Sequence, residues 1–152
     1  MSVPERLTVD ELAAFVRNKD KVAGTDYVVI DVRDEDFKVG HIPGAVNVPA
    51  HEIRGNASRL LSEYGGVPII VFHCALSQVR GPRSARIYKE AVAEALEAAA
   101  NVGGAGEGGG PLADQKVCVL TGGFVAWAYR FKDTEPELVA GFDQQLWNDE
   151  NF

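Results

Sequence analysis

Val67-Pro-Ile-Ile-Val-Phe-His73-Cys74-Ala-Leu-Ser-Gln-Val-Arg80-Gly-Pro82 is the stretch that decides how this chain folds. Val67 to Phe72 is a short, continuous apolar run rich in β-branched residues, the pattern of a strand buried on both faces. It delivers the chain into His73 and Cys74. Pro82 then marks the first turn of a helix, where a missing N–H costs nothing because that donor has no partner inside the helix. A helix over about Pro82 to Ala100 follows, with Ala85, Ile87, Tyr88, Val92 and Leu96 on one apolar face. The segment is thus a strand, a loop and a helix.

Working outward, the same alternation recurs. Thr8-Val-Asp-Glu11 has the spacing of a capping box and leads into Leu12, Phe15 and Val16, which opens an amphipathic helix. Tyr27 to Val32 reads as a second buried strand. Gly40-His-Ile-Pro-Gly44 is a turn in which His41 holds backbone groups, and Ala45 to Val48 is a short strand closed by Pro49. Ala50 to Tyr64 is helical and stops at Gly65-Gly66. Lys116 to Leu120 is a further strand, with Cys118 a buried small hydrophobe within it. Gly122-Gly123 turns into a helix from Phe124 to Phe131, and Leu146 and Trp147 in the acidic tail dock on the body. Alternating strands and helices predict an α/β three-layer sandwich, a mainly parallel central sheet flanked by helices. Residues 1–152 are expected to form a single domain, with a flexible glycine-rich loop at about 101–110.

Composition narrows the function classes. Of 152 residues 46% are hydrophobic and 24% charged, which is ordinary globular usage. A net charge of −7 repels phosphate backbones, so nucleic acid is not an expected partner. No run approaches the roughly 18 apolar residues of a membrane span, and Glu5, Asp10 and Glu11 interrupt the segment where a signal peptide would be apolar. The expectation is a cytoplasmic protein, with the nucleus as a second location. Two cysteines and three histidines supply neither a disulfide framework nor a zinc constellation, so no metal is expected.

In parallel sheets, ligands bind beyond the carboxyl ends of strands, where Cys74 falls. A cysteine and an arginine separated by five residues, between a strand and a helix N-terminus, suit a tetrahedral oxyanion. The backbone N–H groups of Ala75, Leu76, Ser77, Gln78, Val79 and Arg80 can curl into a cradle, and the following helix adds its unpaired donors. Arg80 brings a planar fork that meets two oxygens at once. The same field favours a thiolate. Cys74 is therefore read as the nucleophile, Arg80 as the oxyanion clamp, and Ser77 as a donor to the sulfur. His73, Asp31 and Arg33 are possible supports, the last two as an ion pair; Arg83 and Arg86 either extend the anion site or are solvated.

Asp31-Val-Arg33, Gly40-His-Ile-Pro-Gly-Ala-Val-Asn47, His73-Cys74 with its loop, and Leu120-Thr-Gly-Gly-Phe-Val-Ala-Trp127 occur in the order shown by the rhodanese-like superfamily. Within it, the chain most resembles the small single-domain cell-cycle-type (dual-specificity) phosphatases and their arsenate reductase relatives. The resemblance implies a rhodanese-like fold. Sulfurtransferase members of that family have a loop one residue shorter, so the five residues between Cys74 and Arg80 point to phosphate or arsenate. Large cell-cycle phosphatases carry an acidic residue within the loop, and this loop has none. Because general acid catalysis is worth about a hundredfold or more, a slow phosphatase is expected. The leading expectation is hydrolysis of phosphotyrosine-like phosphomonoesters through a phosphocysteine, with no cofactor. The alternative is reduction of arsenate to arsenite, with glutathione and glutaredoxin as co-substrates. Thiosulfate-type sulfur transfer and a non-catalytic oxyanion-binding module rank below both.

Overall fold

The computed structural model describes residues 3–101 and 110–150. Strand β1 (Glu5–Leu7) leads into helix α1 (Val9–Arg17), where Thr8 and Glu11 close the expected capping box. β2 (Val28–Asp31), a 3-10 turn (Glu35–Val39) and β3 (Val46–Asn47) come next, followed by a second 3-10 turn (Ala50–Glu52) and α2 (Ile53–Tyr64). β4 (Ile69–His73) feeds α3 (Arg80–Asn101), then α4 (Pro111–Asp114), β5 (Lys116–Leu120) and α5 (Gly123–Phe131). A third 3-10 turn (Pro136–Leu138) precedes α6 (Gln144–Asp149).

The five strands lie in the order β1-β5-β4-β2-β3, and every neighbouring pair is parallel. Strand side chains alternate between two apolar layers. Val29, Val71, Cys118 and Leu120 face Leu12, Phe124, Trp127 and Phe131, the layer formed with α1 and α5. Val28, Ile30, Ile70, Phe72 and Val119 face Ile53, Leu60, Ala85 and Tyr88 of α2 and α3. Both sides of the sheet are covered, which is why its strands read as continuous apolar runs rather than alternating ones. Trp147 docks as expected, edge-on to Phe124 and Tyr129.

Several boundaries move. His73 is the last residue of β4 rather than the first of the loop, and α3 begins at Arg80 rather than Pro82, so the arginine is itself helical. The charged stretch after Arg33 is a 3-10 turn. β1 carries no apolar pattern and was not expected; it is held by pairing Glu5, Arg6 and Leu7 with Cys118, Val119 and Leu120. On α3 only the first half is buried, Ala85 and Tyr88 fully and Ile87, Val92 and Leu96 in part. Of the glycine-rich stretch, Asn101 ends α3 and Gly110 precedes α4; residues 102–109, on which that expectation falls, lie outside the described residues. Among the described residues no helix is long and apolar enough to cross a membrane.

Candidate active site

β4 ends at the carboxyl edge of the sheet and places Cys74 there, 3% exposed. From this point the chain turns tightly enough that Ser77 takes φ 55°, a left-handed conformation that costs a non-glycine residue free energy. The turn aims the Ser77 N–H at Cys74 Sγ, 3.2 Å away, and the Gly81 N–H approaches the same sulfur at 3.3 Å. Two backbone donors converging on one sulfur suit a sulfur that carries negative charge. The Ser77 hydroxyl has a different contact from the expected one: its oxygen accepts from the Cys74 N–H at 3.4 Å, while the serine reaches the sulfur through its amide.

Three neighbours keep the loop in this shape. The N-terminus of α5 receives its carbonyls: Phe124 N–H donates to the Cys74 oxygen at 3.0 Å and Val125 N–H to the Ala75 oxygen at 2.9 Å. With these carbonyls turned away, the amides are free to face inward. Gly123 makes this possible, at φ 62°, because a Cβ there would sit 2.5 Å from both oxygens. Gly81 is less tightly hemmed in, a Cβ there meeting the His73 Cα at 3.2 Å and the Cys74 nitrogen and Ser77 hydroxyl at 3.3 Å. On the far side Arg6 of β1 donates to the Ser77 carbonyl at 3.2 Å.

The resulting cradle, a hollow of about 180 Å³, is lined by Cys74, Ala75, Leu76, Gln78, Val79 and Arg80. Leu76 and Val79 are exposed at its rim, 50% and 70%, an apolar border around a polar centre. Arg80, at the start of α3, turns its guanidinium to Asp36, with Nη2 3.0 Å from Oδ2. Asp36 stands 44 positions earlier in the chain, and nothing in the charged run Arg33 to Lys38 singled it out.

Asp31, Arg33 and His73 lie beneath the loop, all fully buried, and none lines the cradle. Arg33 grips both carboxylate oxygens of Asp31, Nη2 at 2.6 Å and Nε at 2.9 Å from one oxygen each. It also donates to the Asp36 and Gly40 carbonyls and lies over the Phe124 ring at 4.1 Å. Arg33 therefore locks in place the 3-10 turn that presents Asp36. Burial alone would raise the Asp31 carboxyl, but the charge of His73 and the hydrogen bonds and charge of Arg33 outweigh it and hold Asp31 below the usual carboxylate range. His73 Nδ1 faces the Cys74 carbonyl at 3.0 Å, and because that oxygen only accepts, the proton sits on Nδ1. Burial drives His73 below the usual imidazole range against the pull of Asp31.

The remaining residues fall outside the cradle. His41 pairs its backbone with Ala140 and stacks on Phe37. His51 is exposed on a 3-10 turn. Cys118 is buried in β5, and burial pushes its thiol up to about 11, which suits a hydrophobe rather than a second nucleophile. Arg83 and Arg86 are exposed on α3. Among the described residues no cluster of His, Cys, Asp or Glu could hold a metal ion.

Comparison with known proteins places this geometry among relatives. A model of the rhodanese-like domain matches residues 8–130. Arsenate reductase 2.1 of Oryza sativa subsp. japonica is 33% identical over 116 residues, which is 73% of this chain and 69% of that protein. Dual specificity phosphatase ibp1 of Schizosaccharomyces pombe is 36% identical over 62 residues, 41% of this chain and 45% of that protein. The match thus spans less than half the length of that phosphatase. Among solved structures, the As-Sb reductase from Leishmania major superposes with a TM-score of 0.65 at 27% identity, covering 90% of this chain and 84% of that one. The homologues therefore include both dual-specificity phosphatases and arsenate reductases.

Proposed function

The chain belongs to the rhodanese-like domain family, and from that premise we propose that it is a cysteine-dependent phosphatase that hydrolyses phosphomonoesters through a phosphocysteine intermediate. One observation carries this reading: a cradle with five residues between Cys74 and Arg80, whose Ser77 and Gly81 amides converge on the sulfur. The Cys74 thiolate attacks phosphorus in line with the leaving oxygen. The amides of Ala75, Leu76, Gln78 and Val79 and the Arg80 guanidinium hold the three remaining oxygens, where charge accumulates in the transition state. Water then attacks the thiophosphate, and Cys74 departs as a thiolate. Ser77 assists that departure, keeping its own amide on the sulfur. No cofactor takes part.

The apolar rim of Leu76 and Val79 favours an aromatic leaving group such as the ring of phosphotyrosine. The loop offers no acidic side chain, so good leaving groups react fastest. Two free thiols suit a reducing compartment, the cytoplasm or nucleus.

A second reading, arsenate reduction with glutathione and glutaredoxin as co-substrates, draws on that same missing acid, since arsenate oxygen leaves as hydroxide or water. The match to Arsenate reductase 2.1 over 69% of its length supports it. One purified sample decides between them: phosphate released from an aryl phosphate, or arsenite formed from arsenate with glutathione and glutaredoxin. Thiocyanate from thiosulfate and cyanide tests sulfur transfer in parallel. Cys74→Ser abolishes the activity found while leaving oxyanion binding intact. Turnover that survived this substitution would remove the mechanism, and binding without any turnover would leave an oxyanion-binding module.

A further inference from the structure

Once Cys74 carries a phosphoryl group, the reaction is only half complete. A water must still reach phosphorus from the side opposite the sulfur, which is the open side of the cradle. Six residues line that hollow: Cys74, Ala75, Leu76, Gln78, Val79 and Arg80. The side chains of Ala75, Leu76 and Val79 are apolar, the Cys74 sulfur is occupied at this stage, and the Arg80 guanidinium can only donate. Gln78 alone among the six has a side chain that accepts and donates at once. It is exposed, and its carboxamide has no hydrogen-bond partner among the described residues. Asp36, the carboxylate that meets Arg80, does not line the hollow.

An exposed glutamine is ordinarily a solvated one, but this one stands on a fixed backbone. The Ser77 N–H meets Cys74 Sγ, and the Ser77 carbonyl accepts from Arg6 at 3.2 Å, so the peptide groups on both sides of Ser77 are tied. Beyond Gln78, the Val79 carbonyl accepts from the Arg83 N–H at 3.0 Å. Because peptide units are planar, these bonds leave the Gln78 Cα little freedom and fix the point from which its side chain departs. We propose that the Gln78 carboxamide orients the water that hydrolyses the phosphocysteine, a role that rests on the phosphatase reading. Oε1 accepts from one O–H of the water and Nε2 donates to a phosphoryl oxygen, which holds the water oxygen in line with the P–S bond. The new P–O bond forms as the P–S bond breaks, and the bonding pair leaves on sulfur. One water proton stays on the incoming oxygen and the other passes to a phosphoryl oxygen, so thiolate and dihydrogen phosphate are released with no net change in charge. Gln78 takes no proton. Its side chain therefore acts in the second step only and supplies no acid to the leaving oxygen of the first.

Two substitutions isolate that step. Gln78→Met keeps the length of the side chain and the backbone amide while removing the carboxamide, and Gln78→Ala removes the length as well. Each variant is mixed rapidly with p-nitrophenyl phosphate, whose good leaving group speeds formation of the phosphocysteine relative to its breakdown. The initial burst of nitrophenolate reports formation, the linear phase reports breakdown, and mass spectrometry of rapidly denatured protein measures the phosphoryl group on Cys74. In both variants kcat is expected to fall by about tenfold or more while the burst rate and kcat/KM stay within about twofold, so that KM falls with kcat and phosphocysteine accumulates. A merely structural role would lower the burst rate and kcat together, and that result would overturn the proposal. Unchanged kcat would do the same, returning Gln78 to the solvated rim. Absence of phosphocysteine in the unsubstituted protein would overturn the phosphatase reading and the water role with it. Phosphocysteine that forms and decays alike in all three proteins would overturn the water role alone.

Discussion

The Phe124 N–H donates to the Cys74 carbonyl oxygen at 3.0 Å, joining the N-terminus of α5 to the back of the Cys74 loop. Two helices therefore act on one sulfur. α3 offers its Gly81 amide directly, and α5 holds the Cys74 and Ala75 carbonyls while the Ser77 amide meets the same sulfur.

Gly123→Ala tests that link. Its Cβ would lie 2.5 Å from the Cys74 and Ala75 oxygens, on a residue at φ 62°. We expect a loss of about 2–4 kcal/mol in urea unfolding, from strain plus a displaced loop, and at least about a hundredfold loss of aryl phosphate hydrolysis. Gly24→Ala is the control: φ is 90° but nothing lies within 4 Å, so about 1 kcal/mol is lost and activity stays.

Asp36→Asn releases Arg80. The pair is partly exposed, 35% and 18% at the side chains, so it contributes little to stability but competes with any anion for the guanidinium. Inhibition by inorganic phosphate or vanadate should tighten by about two- to fivefold, the equivalent of an ion pair worth at most about 1 kcal/mol. Unchanged inhibition would mean that Arg80 binds the oxyanion without leaving Asp36.

Ser77 carries a left-handed backbone and a hydroxyl in one position, and two substitutions separate these. Ser77→Gly relieves the backbone, whereas Ser77→Ala keeps the cost. Both lose the hydroxyl. The glycine variant should exceed the alanine variant by about 1 kcal/mol in denaturant unfolding, and the two should share whatever fall in kcat the hydroxyl accounts for.

Asp31→Asn leaves the Arg33 guanidinium buried without its counter-charge, a loss of about 3–5 kcal/mol in thermal or urea unfolding. The 3-10 turn bearing Asp36 should loosen with it, because Arg33 also holds the Asp36 and Gly40 carbonyls.

The pH dependence of stability follows from the same cluster. His73 is lowered on folding, so between its folded value and the ordinary value near 6.5 the unfolded chain binds more protons, and stability falls as pH drops below about 6.5. Asp31 is also lowered; its contribution is complete above about 3.9 and is lost as pH falls through the folded value. Urea midpoints from pH 8 to pH 3 should stay flat above about 7 and decline in two stages below it. His73→Asn should shrink the upper stage to the part contributed by His41, which burial also lowers.

Much of the fold is legible in local pattern. Continuous apolar runs mark β2, β4 and β5 as strands covered on both faces, and the capping box marks α1, because burial and capping act over a few neighbouring residues. β1 is hidden from such a reading: Glu5-Arg6-Leu7 has no apolar period and is a strand only because β5 offers it an edge. Its Arg6 then reaches Ser77, a contact across 71 positions.

Cys74, the spacing to Arg80 and the strand-to-helix setting were set by the sequence itself, since the proposed nucleophile and anion clamp, six positions apart, form a local device. The direction of the loop's amides, the grip of Asp36 on Arg80, the close passage of Gly123 behind Cys74 and the hold of Arg6 on the Ser77 carbonyl were decided by tertiary structure. Each joins residues that meet only after the sheet has assembled, and the distances that give them meaning, a few tenths of an ångström in a Cβ contact or a hydrogen bond, belong to packing rather than to pattern.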